Sequence, residues 1–203
     1  ESFDKMDVPL MLPEDETNIH KEPVQTVLEK LNTSLDKGLT NQDANSLRDR
    51  YGENLLKKPV DCPSWLCCLL PCLGNVASNQ LFGEVVPDDA LVLRNGRWIT
   101  LDASSLVRGD IVKVQNGESI AADMRVLECS PGTQVSQLYL TGKDAPKDVA
   151  VEATAEDFLE SGNMLFLSSH VVQGECTSVV VAVGDQTALH QLIRAGKWPP
   201  ANL

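Results

Sequence analysis

Apolar residues recur along this chain with two different periods. Behind Pro23, which suits a first helical position, Val24, Val27, Leu28 and Leu31 fall at i, i+3, i+4 and i+7. Gly38 breaks that run. Thr40, with Asp43 three residues on, marks a new helix N-terminus, and Ala44, Leu47 and Tyr51 form the stripe of a second short helix ending at Gly52. From residue 90 the period shortens. Asn95-Gly96 separates Leu91-Val92-Leu93 from Trp98-Ile99, the signal of a two-residue hairpin, because both turn positions take positive φ. Asn116-Gly117 repeats the device after Ile111-Val112-Lys113-Val114.

Further strands are expected at 164–168, 170–173 and 176–183, the last so rich in valine that it reads as a buried central strand. Thr187 is placed to cap a closing helix through Ala188, Leu189, Leu192 and Ile193. Between these runs, 149–162 carries Glu152, Glu156, Asp157 and Glu160 and reads as a solvated face. Short strands punctuated at close intervals predict a compact β unit, a sandwich or distorted jelly roll.

The flanks are less regular. Residues 1–21 show no period and read as a flexible tail, with Val8-Pro9-Leu10-Met11-Leu12-Pro13 as an alternative extended docking peptide. Residues 65–73 are apolar but interrupted by Pro71, and well short of the roughly 18 residues that would span a bilayer. A connector follows over 74–87, with a helical stretch expected around 76–81. Trp198, before Pro199-Pro200, either anchors the tail to something else or folds back on the chain.

Charge changes the picture next. A net charge of −12 argues against nucleic acid, whose phosphates need basic patches, and against adhesion to anionic lipid. The chain begins on Glu1, with no signal or transit peptide visible, so it reads either as a processed mature chain, which would suit import into an organelle, or as a piece cut from a longer one, which says nothing about place; the expected location is peripheral to a membrane.

Four of the six cysteines, Cys62, Cys67, Cys68 and Cys72, cluster in the apolar link. Their Cys-x4-Cys-Cys-x3-Cys spacing is atypical of zinc, which favours two Cys-x-x-Cys pairs. The readings, in order, are a buried plug or partner surface, then acylation at Cys67-Cys68, then a metal site. Trp65, Leu66, Leu69, Leu70, Leu73 and Trp198 are the candidate contact residues, with peripheral membrane contact through 65–73. Cys129 and Cys176 fall in β-like runs and read as core, and His170 reads as a strand-edge residue. No cofactor motif is present; in particular there is no Gly-x-x-x-x-Gly-Lys loop.

Several motifs in order resemble one family. Gly109-Asp110-Ile111-Val112, Ile120-Ala121-Ala122-Asp123-Met124-Arg125, Asn163-Met164-Leu165-Phe166 and Val183-Gly184-Asp185-Gln186-Thr187 look like the actuator domain of P-type cation-transporting ATPases. The Ala90-Leu91-Val92-Leu93-Arg94-Asn95-Gly96-Arg97-Trp98 run is closest to the plasma-membrane proton-pump branch. Gly38-Leu39-Thr40 and Arg50-Tyr51-Gly52-Glu53-Asn54 resemble the N-terminal segment of the same pumps. The resemblance implies a mainly β fold with flanking helices (α+β), an actuator-like distorted jelly roll or double-stranded β-helix. It divides the chain into a tail (1–21), two short helices (22–55), a Cys-rich linker in place of a membrane hairpin (56–89), the actuator-like domain (90–193) and a C-terminal tail (194–203).

The departures bear on function. The family carries Thr-Gly-Glu-Ser on an exposed loop, and its glutamate positions the water that hydrolyses an aspartyl-phosphate on another domain. The matching run here is Thr141-Gly142-Lys143-Asp144. A lysine, titrating near ~10.4, cannot accept that water's proton at neutral pH. The preceding Val-Asp-x-Ser has become Val135-Ser136-Gln137-Leu138, and no Asp-Lys-Thr-Gly phosphorylation site occurs. The expectation is a pseudo-enzyme: a non-catalytic actuator-like protein that binds, links or scaffolds protein partners in a membrane complex. The alternative is a regulatory module or fragment of a divergent cation or proton pump, and the remotest reading is a small enzyme using Lys143, Asp144 and a histidine.

Overall fold

Two antiparallel sheets stack to form the body of the protein, and the chain reaches them through its N-terminal helices. The computed structural model describes residues 18–55 and 88–200. The Cys-rich link, the 65–73 contact residues and the expected 76–81 helix lie outside the described residues, as do 1–17.

Helix α1 (Val24–Lys30) buries Val27 and Leu28, and α2 (Asn41–Tyr51) buries Ala44. Thr40 caps α2 as its sequence requires: its Oγ1 accepts from the Asp43 amide at 3.1 Å and donates to the Asp43 carboxylate at 2.7 Å. Two details differ from the periodicity. Pro23 takes an extended ψ of 144° and sits at the N-cap rather than inside the helix. Tyr51 is 46% exposed, under the Arg50 guanidinium at 5.1 Å, so the stripe of α2 ends at Leu47.

Strands β1 (Asp89–Arg94) and β2 (Arg97–Asp102) form the expected hairpin, with Asn95 and Gly96 at φ of 50° and 71°. Strand β3 (Ile111–Gln115) follows, but Asn116-Gly117 does not make a second hairpin. Only Gly117 has positive φ there, and the turn sends the chain across to 169–171, where the Gly117 amide donates to Val171 O at 2.8 Å. Strands β4 (Asp123–Cys129), β5 (Gln134–Ser136), the one-turn helix α3 (Leu138–Thr141), β6 (Lys147–Asp148), β7 (Met164–Leu165), β8 (His170–Gln173) and β9 (Glu175–Ala182) complete the sheets. Helix α4 (Ala188–Arg194) closes the body behind its Thr187 cap. The six-stranded sheet runs β2-β1-β3-β9-β4-β7 and the three-stranded one β6-β5-β8.

Strand β9 is central, as its valines indicate, because both faces of the larger sheet are covered. Val179 and Val181 pack with α1, α4 and Trp198; Val180 packs between the sheets with Val112, Met124, Val135 and Val171. The 164–168 strand is shorter than expected, since the chain turns at Phe166 and Ser168 has a φ of 75°. His170 lies on β8, an edge of the small sheet. The carboxylates of the 149–162 excursion are exposed, while Phe158 beside them is buried.

Both flanks are more ordered than the sequence suggests. Ile19 and His20 are buried, at 3% and 2% exposure, so packed structure is already present inside the expected 1–21 tail. The His20 Nε2 meets Glu156 O at 3.0 Å, and its ring stands edge-on to Phe158. Trp198 folds back, only 7% exposed, with Nε1 donating to Tyr139 O at 2.8 Å. That indole is therefore spent on the protein's own core and is not a partner-facing anchor.

Among the described residues no helix is long and apolar enough to cross a membrane.

Candidate functional site

The loop of interest leaves β5 and returns in β6, and the pairing of those strands fixes its base. Gln134 opposes Asp148 and Val135 opposes Lys147, with Gln134 Nε2 donating to Asp148 Oδ1 at 2.8 Å. Between them Gln137 O accepts the amides of Leu140 and Thr141, forming α3. Gly142, at φ 73°, ends that turn in the left-handed region that a glycine takes without a Cβ penalty. Thr141 Oγ1 donates to Gln137 O at 3.1 Å and accepts from the Lys143 amide at 3.3 Å. The loop is thus a built turn that presents Lys143 and Asp144 to solvent.

Lys143 is engaged. Its Nζ meets Glu160 Oε1 at 2.6 Å, with both side chains about half exposed at 49% and 51%. Such a pair contributes up to about 1 kcal/mol, so it sets geometry more than stability. Beneath it lies Lys147, whose Nζ donates to the carbonyls of Ser161 (3.0 Å), Met164 (3.1 Å) and Leu159 (3.4 Å) and stands 5.4 Å from the Phe166 ring. Burial, which disfavours the ammonium, pulls its pKa down to about 8; Glu160 opposes that and Lys143 adds to it. Sequence reasoning missed both groups. Glu160 read only as a solvated carboxylate and Lys147 was given no role, because the place of each depends on how 147–164 folds back.

The recognised motifs prove to be joined physically. Arg94, from the hairpin, grips Asp110, from Gly109-Asp110-Ile111-Val112, through Nε to Oδ1 at 2.8 Å and Nη2 to Oδ2 at 2.6 Å. Arg94 also donates to Ser105 O at 3.0 Å, and the Val107 amide donates to Asp110 at 2.9 Å. Asn54, from the N-terminal segment, is buried against the β unit. Its Nδ2 donates to Ala103 O and Ala121 O, both at 2.9 Å, and its Oδ1 accepts the Gly184 amide at 2.9 Å.

Asp123 is 1% exposed and accepts the amides of Leu167 (3.0 Å) and Ala188 (2.6 Å), tying β4 to the start of α4. Complete burial pushes its carboxyl up to about 7, against the pull of those two donors. In the unfolded chain the same group titrates near 3.8. The folded state therefore holds the proton more tightly, and this contribution is fully present below about pH 4 and lost as pH rises through 7. Across that window it amounts to something on the order of 4 kcal/mol. Urea midpoints of the wild type should rise from pH 7.5 to pH 5 relative to those of Asp123→Asn; parallel pH profiles would refute the assignment.

Among the described residues no three histidine, cysteine or acidic side chains converge as metal ligands. The four clustered cysteines lie outside those residues.

With this geometry in place, family comparisons give a consistent result. The P-type ATPase actuator domain model matches residues 84–197, and the cation transporter/ATPase N-terminus model matches 19–76. The chain belongs to the P-type ATPase actuator domain family. Among the proteins it is similar to are sodium/potassium pumps. It is 38% identical over 128 residues to the sodium/potassium-transporting ATPase subunit alpha of Hydra vulgaris, covering 60% of this chain and 12% of that protein. It is 27% identical over 231 residues to subunit alpha-B of Artemia franciscana (86% and 23%), and 27% identical over 243 residues to human subunit alpha-3 (90% and 24%). The chain thus spans between about an eighth and a quarter of these relatives' length. A solved zinc-transporting PIB-type ATPase in its E2.Pi state aligns with TM-score 0.45 and 23% identity, over 57% of this chain and 17% of that one.

Proposed function

We propose that this chain is an actuator-like module that works by binding, as a linking or scaffold subunit of a membrane protein complex, and performs no dephosphorylation of its own. One observation carries the reading: Lys143, which by resemblance stands where the family has its water-positioning glutamate, is held by Glu160 at 2.6 Å. A cation paired to a carboxylate has no lone pair to offer an attacking water. The neighbouring Asp144 is exposed on the same loop, but no histidine lies beside it in sequence to act with it as a nucleophile–base pair. The Arg94–Asp110 grip and the Asn54 clamp tie the hairpin and the N-terminal segment to the β unit, as a module that works by recognition requires. Residues 65–73 and Cys67-Cys68 would supply the membrane or partner contact.

The alternative is that the chain is a piece or regulator of a divergent cation pump. It draws support from the relatives, which are sodium/potassium pumps several times as long. Extraction from its own cells in mild detergent, followed by native electrophoresis, separates the two. Migration within a larger assembly of distinct subunits is the expected result. A polypeptide continuing past Leu203 into Asp-Lys-Thr-Gly would establish the pump reading, and a free soluble monomer would overturn the scaffold reading.

A further inference from the structure

Cys129 near the end of β4 and Cys176 near the start of β9 are directly opposed across an antiparallel pair. One residue outward on each strand, the Ser130 amide donates to Glu175 O at 3.0 Å. That bond places Cys129 and Cys176 at a non-hydrogen-bonded site of the ladder, where opposed Cα atoms lie about 4.5 Å apart and side chains approach most closely. This is inside the window of about 4.4–6.8 Å that a disulfide requires. Opposed residues also project to one face, and both thiols do pack against the same core between the two sheets. Both cysteines are free.

Access is graded. Cys176 is 2% exposed, whereas Cys129 is half-buried, its Sγ 3.8 Å from Val149 O. The pair borders an open hollow of about 290 Å³ that is also lined by Lys113, Glu128, Ser130, Glu175 and Thr177. A small reagent can therefore reach Cys129 first.

We propose that Cys129 and Cys176 are a dithiol modification site that takes small disulfides of the glutathione type and closes reversibly into a cross-strand disulfide. The Cys129 thiolate attacks one sulfur of glutathione disulfide, forming a mixed disulfide and releasing one glutathione thiolate. Cys176 gives its proton to solvent and attacks the Cys129 sulfur, expelling the second. Two protein thiols are oxidised and one glutathione disulfide is reduced to two glutathione molecules, so electrons and protons balance. Burial raises both thiol pKa values, that of Cys176 to about 11, so closure is slow at neutral pH and accelerates as pH rises.

The bond would staple the central strand β9 to β4 at the end of the sheet beside the 130–133 turn. The test uses the full folded chain, equilibrated in glutathione buffers from fully reduced to fully oxidised. Residual thiols are then blocked in acid, and the chain is digested and mapped by mass. The expected result is a peptide joining Cys129 to Cys176, absent in reduced glutathione and restored on reoxidation. A rise of several degrees in the thermal midpoint should accompany it and should vanish in Cys129→Ser. The peptide map of the unaltered chain decides the matter even if a variant folds poorly. A stable glutathione adduct on Cys129, a bond from Cys129 to any of Cys62, Cys67, Cys68 or Cys72, or two free thiols at every ratio would each overturn the proposal.

Discussion

Arg94→Met is expected to destabilise the protein by about 3–5 kcal/mol, because it strands the Asp110 carboxylate in the interior. Asp110 is 0% exposed and Arg94 8%. Without the guanidinium, Asp110 keeps only the Val107 amide at 2.9 Å as a donor among the hydrogen bonds described above. The cost belongs to the charge left behind rather than to the pair itself. A second substitution, Asp110→Leu in the Arg94→Met background, should therefore recover most of the loss. Urea unfolding of the two single variants and the double variant measures this directly. Additive destabilisation across the cycle would show that the two groups do not depend on each other.

Gly38→Ala should have an effect of similar size through a different cause. Gly38 has a φ of 63°, and a Cβ built there would lie 1.9 Å from Leu93 O and 2.8 Å from the Leu93 carbonyl carbon. Backbone cannot swing aside as a flexible side chain can. A left-handed L-residue costs about 1–2 kcal/mol, and overpacking adds about 1–3 kcal/mol. What gives way is the docking of 37–39 on the β1–β2 hairpin, where Asn95 N donates to Leu39 O at 3.0 Å and Gly96 N to Lys37 O at 2.8 Å. Hydrogen exchange at the Asn95 and Gly96 amides should accelerate well beyond that of the β9 amides. Equal protection in both places would refute the mechanism.

These two positions also show what can be read from a linear sequence. Asn95-Gly96 and Thr40 with Asp43 were legible because their physics is local: a turn needs positive φ, and a helix N-terminus needs a side-chain acceptor. Strand β9 was legible from its unbroken valines. Gly38 was legible as a break, but the reason for the glycine lies 55 residues away at Leu93. Trp198 was left between two alternatives, since only the fold brings Tyr139 O to its indole. Asn116-Gly117 misled, because the same dipeptide that closes a hairpin also serves a crossing between sheets, and β3 takes its partners from β1 and β9. At the loop, the run Thr141-Gly142-Lys143-Asp144 could be read in the sequence as a match to the family's Thr-Gly-Glu-Ser. The pairing of Lys143 with Glu160 and the support from Lys147 could not, because both arise from an excursion whose residues carry no periodic signal.

The carbonyls of Leu159, Ser161 and Met164 converge on one point as the oxygens of an alkali-ion shell would, and the occupant is the Lys147 ammonium. An ammonium on a tether cannot diffuse away, so its effective concentration at the shell is set by the chain and not by the surrounding medium. Exchange of sodium for potassium outside the protein leaves the shell filled. Only proton loss, above about pH 8, removes the charge from inside it. In a family whose members move cations, this loop is braced by a cation that the protein never has to bind.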